Sequence, residues 1–497
     1  MMGKPKSTKK GIENIRQYRL AHEQAIIKEF CDLLSIPNVA EDKENIQKNT
    51  VFIKQIMEKR GFEVQILETP GNPVIIGELG VKKPRNTLLF YIHYDGQPVT
   101  PSQWTDSEPF KPVLRPGKLE AGASVPKPIP FPTGDEKYND DWRIYARSTG
   151  DDKAPIIALL TAIDAIRTQG LALNNNIKVI LDGEEENGSP NLPYALEKYK
   201  SLLKADILFM CDGPTYYNGE PTLFLGARGI TSLSITVYGP NTNLHSGHYG
   251  NWAPNPAIKL SQLLASMKDK EGNVLIKGFY DSCIPLNTKE LEAVKTIPPF
   301  DEEIKDLYGF SGTDGEQKPL MESILLPSLN INSFHSGNTG KQMSTIIPST
   351  ATATIDIRLV KGNEPAKMVQ RVVDHVEMQG FHVVTNEPDK ETRMKYPYIA
   401  KITAEENGYR ASRIPIDTPA VQRIIKAISE NSGSKPVLIP SLGGSLPIYV
   451  FEDYLHIIAV GLPIANHDNN QHQQNENIRV GHLWRAIETF AAVTLME

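Results

Sequence analysis

Three consecutive carboxylates, Glu184, Glu185 and Glu186, follow the apolar run Ile177-Lys178-Val179-Ile180-Leu181, with only Asp182 and Gly183 between. The run reads as a buried strand, and Gly188 and Pro190 close the turn after it. Like charges crowded at a strand end repel, and packing gives no reason to put them there. A solvated acidic turn would tolerate them. A bound divalent cation would use them, because hard cations take carboxylate oxygens. Adjacent glutamates can also divide the work, one as metal ligand and one holding the proton of an attacking water. Residue type alone leaves open which does which.

The same pattern recurs along the chain. Thr87-Leu88-Leu89-Phe90-Tyr91-Ile92 is a continuous apolar run, the mark of a central strand buried on both faces, and His93-Tyr94-Asp95 follows it. In extended backbone His93 and Asp95 point to the same side, so a carboxylate stands where it can fix the imidazole of a metal ligand. Residues 205–210 form another buried strand, which ends in Asp212. Asp151 and Asp152 precede a helix expected over 154–168. A helix cap and the helix dipole account for one of these acids more easily than for both. Open α/β sheets bind ligands at the carboxyl ends of their strands, and three acidic strand ends in one sheet point to a shared metal centre. The polar loop Asn466-His467-Asp468-Asn469-Asn470-Gln471-His472-Gln473-Gln474-Asn475-Glu476 adds two histidines to the candidate ligands.

At 497 residues the chain exceeds one ordinary core. A net charge of -6 argues against nucleic acid or an anionic membrane as partner. Cys31, Cys211 and Cys283 make neither a disulfide framework nor a cysteine-rich zinc site. No apolar run approaches the ~20 residues of a membrane span. The basic first ten residues lead into a charged amphipathic helix rather than an apolar leader, and the expectation is a cytoplasmic protein.

Helices are expected over 12–34 and 49–60, and strands over 63–67 and 74–78. The proline-rich stretch 104–132 reads as a loop covering the site. From Gly229 the pattern changes to strand 231–237, helix 255–267, weak strand 328–334, strand 345–360, helix 364–378 and strand 398–411. That β-α-β-β-α-β order predicts a ferredoxin-like insert, with 269–327 as an embellished loop. The α/β pattern resumes at Ile414 with helix 420–431, strand 455–460 and closing helix 480–496. The fold class is therefore α/β. A catalytic domain over 1–229 and 414–497, with a central mostly parallel sheet, is interrupted by an α+β lid domain over 230–413.

In this order the motifs resemble the M20 metallopeptidase family, in particular its carnosinase-like dipeptidases, over nearly the whole chain. They are His93-Tyr94-Asp95-Gly96-Gln97-Pro98-Val99, Arg147 to Lys153, Gly183 to Ser189, Asp212, Arg228-Gly229 and Asn243-Leu244-His245-Ser246-Gly247. Ser344-Thr345-Ile346-Ile347-Pro348, Arg358-Leu359-Val360, Gly443-Gly444-Ser445 and His472 to Glu476 complete the set. Ala146, Ala154, Asn243 and Gln473 depart from the family pattern, and none of them is a ligand.

The resemblance implies two divalent metal ions bridged by Asp151, one also held by His93 and Asp212, the other by Glu186 and His472. Zinc is the first expectation, with manganese or cobalt also suited to histidine and carboxylate ligands. It further implies Asp95 orienting His93, Glu185 as general base, a cis peptide between Asp151 and Asp152, and His245 stabilising the oxyanion. Arg358, Thr345, Gly444 and Ser445 would bind the substrate, whose terminal carboxylate suits a planar guanidinium. A homodimer formed through the lid domain is implied, with His245 acting on the neighbouring subunit. The expected reaction is hydrolysis of the amide bond of dipeptides or similarly short peptides. An N-acyl-amino-acid amidohydrolase would use the same centre. A non-catalytic metal-binding scaffold would be expected to lack the base or a ligand, and this chain has them all.

Overall fold

The structure, a computed structural model, describes residues 8–119, 126–314, 318–405 and 408–497. Residues 1–7, and parts of the expected loop 104–132 and strand 398–411, lie outside the described residues. The chain divides into two compact units, one of Met1–Leu225, Ile414–Pro440 and Val450–Glu497, the other of Gly226–Arg413 and Ser441–Tyr449.

The first unit is built on an eight-stranded mixed sheet, in the order Glu63–Leu67, Val74–Leu79, Asn176–Asp182, Thr87–His93, Ile207–Met210, Ile458–Gly461, Thr222–Phe224, Val437–Ile439. The four middle members, from Asn176–Asp182 to Ile458–Gly461, run parallel. Register places His93 opposite Asp182, Tyr91 opposite Met210, and Met210 opposite Gly461, so four carboxyl ends share one edge. These strands are apolar and buried because helices cover them. Thr8–Leu34, Lys153–Thr168, Pro419–Ser432 and Val480–Thr494 pack against one another, and Lys153–Thr168 also meets Thr87–His93. Phe90 stacks on Phe209 at 5.0 Å and meets Phe490 edge-on at 5.8 Å.

Three expectations need correction in this unit. The stretch 104–132 is not only a covering loop, since Val113–Arg115 pairs with Arg143–Tyr145, which pairs in turn with Asn477–Arg479. Arg115 is fully buried there because its guanidinium satisfies the carbonyls of Thr105 and Pro126. Leu455 ends the helix Ile448–Leu455 rather than starting a strand; His456 takes positive φ, and the extended run begins only at Ile458. The helix expected to begin at Asn49 begins at Lys43, where Asp42 caps it through the Asn45 amide.

The second unit holds a five-stranded sheet in the order Ser328–His335, Thr350–Leu359, Gly229–Tyr238, Ile399–Ala404, His382–Val384. The first four are antiparallel neighbours and give the ferredoxin-like arrangement; the fifth is an added parallel edge. Strict alternation of burial along Thr350–Leu359 turns Ala351, Ala353, Ile355, Ile357 and Leu359 into one core. Leu260 and Leu263 of helix Pro256–Ala265, and Met368, Val372 and Val376 of Pro365–Met378, complete it. The last strand is shorter than expected, ending at Ala404, and Ser412–Arg413 instead pairs with Gly226–Ala227. No helix among the described residues is long and apolar enough to cross a membrane.

Candidate metal centre

The shared strand edge gathers the acids. His93 is the last residue of its strand and is fully buried. Its Nε2 lies 2.8 Å from Asp151 Oδ1, and its Nδ1 lies 3.2 Å from the Asp95 carbonyl and 3.4 Å from Asp95 Oδ1. His472, half exposed, places Nε2 3.1 Å from Asp151 Oδ2 and 3.2 Å from Glu186 Oε2. One carboxylate, Asp151, thus stands between two imidazoles, one on each oxygen. The peptide bond that follows it, Asp151–Asp152, is cis.

The glutamate turn is held by Asp95. Its Oδ1 accepts from the Glu185 N–H and its Oδ2 from the Glu186 N–H, both at 3.1 Å. Below the turn, Asp182 accepts from Ser189 Oγ at 2.7 Å and Tyr91 Oη at 3.1 Å. Glu184 turns away, accepting from the Asn72 amide and from Asn191. Of the three consecutive carboxylates, only Glu185 and Glu186 belong to the centre. Ligand atoms of His93, Glu185 and Asp212 lie within 4.8 Å of one another, as do those of His93, Asp151 and Glu186. Distance alone therefore does not separate a base from a ligand.

Proton affinities carry the strain of this crowding. Burial raises the Asp212 carboxyl to about 7, with Asp151 adding to it. Burial likewise pushes Glu185 well above the usual range, reinforced by Asp212 and Asp151. The carboxylates of Asp151 and then Glu186, at 3.1 and 3.2 Å, raise His472 to about 10. Burial opposes the His93 imidazolium, but Asp151 and Asp95 outweigh it and hold its proton affinity well above the ordinary value. Burial also opposes the Asp151 charge, yet His472 and His93 keep its carboxyl below the usual range. A divalent cation would relieve this crowding by neutralising several carboxylates at one point. Asp212 Oδ1 and Asp152 Oδ1 are buried without a hydrogen-bond partner. Two imidazoles, converging carboxylates and an orphaned carboxylate oxygen on Asp212 fit a divalent metal pair.

Sequence reasoning assigned no role to two residues near this centre. Gln97 Nε2 donates to Glu186 Oε2 at 2.8 Å. Glu476, fully buried, accepts from the amides of Ser148, Gly150 and Asp151 and from Arg147. Each sits inside a motif already noted, which was the available signal.

The remaining candidates belong to the second unit. A two-residue ladder sets Leu244–His245 against Ile346–Ile347, and the Ser246 amide donates to the Thr345 carbonyl, bringing His245 and Thr345 together. His245 Nδ1 accepts from the Gly247 amide, and its ring lies 4.6 Å from that of His248. Arg358 Nη1 donates to Ser445 Oγ at 2.8 Å, beside Gly444, where no atom would meet an added Cβ within 4 Å.

Residues 89–496 match the family described as peptidase family M20/M25/M40. A Cys-Gly metallodipeptidase of Saccharomyces cerevisiae is 25% identical over 488 residues, spanning 92% of each chain. A human Beta-Ala-His dipeptidase is 27% identical over 435 residues, covering 86% of this chain and 78% of its own. Among solved structures, an M20 family metallo-carboxypeptidase from Sulfolobus solfataricus superposes with a TM-score of 0.75 at 30% identity, covering 95% of this chain and 98% of its own.

Proposed function

This chain belongs to peptidase family M20/M25/M40, and from that premise we propose that it is a dinuclear metallodipeptidase that hydrolyses the amide bond of short peptides, dipeptides first. Its standing as a metal-dependent hydrolase follows from the family and its relatives. The dipeptide class rests on the names of those relatives, which are dipeptidases and not deacylases. The observation that carries the reading is Asp151, with His93 on Oδ1 at 2.8 Å and His472 on Oδ2 at 3.1 Å, the disposition of a bridging ligand.

In this reading Asp151 would be shared between two divalent cations, zinc in the first instance, with His93 and Asp212 holding one and Glu186 and His472 the other. Such ions, when bound, would lower the pKa of a water and polarise the scissile carbonyl. Glu185 takes the proton of the attacking water and returns it to the leaving nitrogen. Asp95 serves twice, orienting His93 and anchoring the amides of Glu185 and Glu186. Arg358 and Ser445, with Gly444 and Thr345, receive the terminal carboxylate, and His245 donates to the carbonyl oxygen as negative charge develops. We further propose a homodimer through the second unit, in which His245 acts on the partner subunit's centre.

A turnover screen of dipeptides against N-acyl amino acids, on protein of measured metal content, tests the reading. Cleavage of dipeptides that vanishes with chelation and returns with metal is the expected result. Preferential turnover of N-acyl amino acids would replace it with the deacylase. Complementation tests the dimer: mixing inactive His245→Ala and Glu185→Gln homodimers should restore about half of wild-type activity per heterodimer, since one of its sites carries neither defect.

A further inference from the structure

Glu476 is fully buried in the loop that also carries His472, and both of its carboxylate oxygens are spent on a single segment. Oε1 accepts from the amides of Gly150 at 3.0 Å and Asp151 at 3.1 Å. Oε2 accepts from the Ser148 amide and from Arg147 Nη1, both at 2.8 Å. The Glu476 carbonyl takes the Ala146 amide as well, at 3.2 Å. Beyond this point the two segments continue as paired strands, with Tyr145 opposite Asn477. One side chain therefore folds the turn 146–151 around itself and ties it to the loop of His472.

We propose that Glu476 is the positioning residue of the metal centre, fixing the bridging carboxylate Asp151 and the loop ligand His472 relative to each other. The proposal rests on the reading of Asp151 as a bridging ligand. Asp151 lies on a turn, and strand pairing alone does not hold it. Its own N–H and those of Gly150 and Ser148 converge on the Glu476 carboxylate, which sets the direction in which Oδ1 and Oδ2 leave the backbone. Arg147 balances the Glu476 charge, so the anchor adds little negative charge to an already crowded site. A neutral amide cannot replace it, because its nitrogen would face donors with another donor. A shorter carboxylate cannot reach all four hydrogens.

The test is Co²⁺ binding to metal-free protein, followed through the ligand-field absorbance and through stoichiometry, with melting of the metal-free state as the control for folding. Glu476→Gln should keep its fold yet lose about 10–100-fold in Co²⁺ affinity, the range for residues that orient ligands, with an altered absorbance envelope. Glu476→Asp should lose less. Adding Arg147→Met to Glu476→Gln removes the stranded guanidinium and should not restore affinity. Wild-type affinity and absorbance in Glu476→Gln would overturn the proposal. Restored affinity in the double variant would overturn it too, since the loss would then come from an unpaired charge and not from lost positioning. Should Glu476→Gln fail to fold, Glu476→Asp carries the test, and wild-type binding in that variant overturns the proposal. Wild-type protein that takes up no Co²⁺ would overturn the bridging-ligand reading itself, and this proposal with it.

Discussion

His93 and His472 face the same carboxylate from opposite sides and are held in opposite ways. His93 ends a central strand with its side chain fully buried, locked by hydrogen bonds to Asp151 and the Asp95 carbonyl. His472 sits in a loop with 54% of its side chain exposed and a backbone φ of +62°. The fold positions His93 by strand pairing, which is cooperative and extends across the sheet. His472 depends on local devices: Glu476, the Asn475 contact to Thr105, and the Arg143–Asp468 pair. A strand histidine and a loop histidine, if both hold metal as proposed, should therefore fail differently, one mainly through the fold and the other mainly through metal.

The largest expected effect lies between the two histidines. Glu185→Gln keeps the shape of the side chain but removes the proton acceptor, so kcat should fall by about 10³-fold while metal content stays at two equivalents. Glu186→Gln should instead lose metal, which atomic analysis of the purified variants would reveal. An active Glu185→Gln would strike out the division of labour between the adjacent glutamates.

Next comes the histidine pair itself. His93→Ala leaves a buried gap and an unpartnered Asp151 oxygen, and should cost about 2 kcal/mol of stability even in metal-free protein, besides abolishing metal binding at its position. His472→Ala, at a half-exposed side chain whose pairing with Asp151 and Glu186 is screened by solvent, should cost less than His93→Ala when metal-free, yet retain roughly one equivalent of metal fewer. Denaturant unfolding of metal-free proteins gives the answer. Equal stabilities for the two variants would break the contrast between strand and loop.

Asp95→Asn sharpens the strand side. The new amide can accept only one of the Glu185 and Glu186 N–H groups, and it no longer faces His93 with a full charge. Metal affinity should drop about 10–100-fold, read by competition with a chromophoric chelator.

Asp468→Asn addresses the loop side with the smallest effect. Burial opposes the Asp468 charge, but the two hydrogen bonds to Arg143 outweigh it and hold the carboxyl below its usual range. A depressed folded value means that its stabilisation is complete above the unfolded-state pKa of about 3.9 and is lost as pH falls below that. At pH 7 the variant should be less stable by about 1.5 kcal/mol. The gap should begin to narrow as the pH falls below about 4 and go on narrowing in stronger acid, and a gap that widens in acid would contradict the assignment.

The sequence by itself determined the sheet and the acidic groups at its edge. Buried parallel strands must be apolar on both faces, so 87–92, 177–181 and 205–210 were legible as runs, and the acids beyond them stood out. The alternating pattern of the insert was equally open, because one face of its sheet is covered and the other is not. Only the tertiary structure decided which carboxylates meet. Glu184 looks like its neighbours in sequence, yet it turns toward Asn72 and Asn191. Three-residue strands such as Val113–Arg115 are too short to show a period, and their pairing partners lie far along the chain. His472 and Glu476 sit in a loop whose composition would serve equally well for plain solvation. The partners that His472 and Glu476 meet come from the turn at Arg147–Asp151, distant in sequence and adjacent only in the folded chain. Periodicity records burial along a single element, whereas a metal centre is made of contacts between elements, and these exist only in the folded chain.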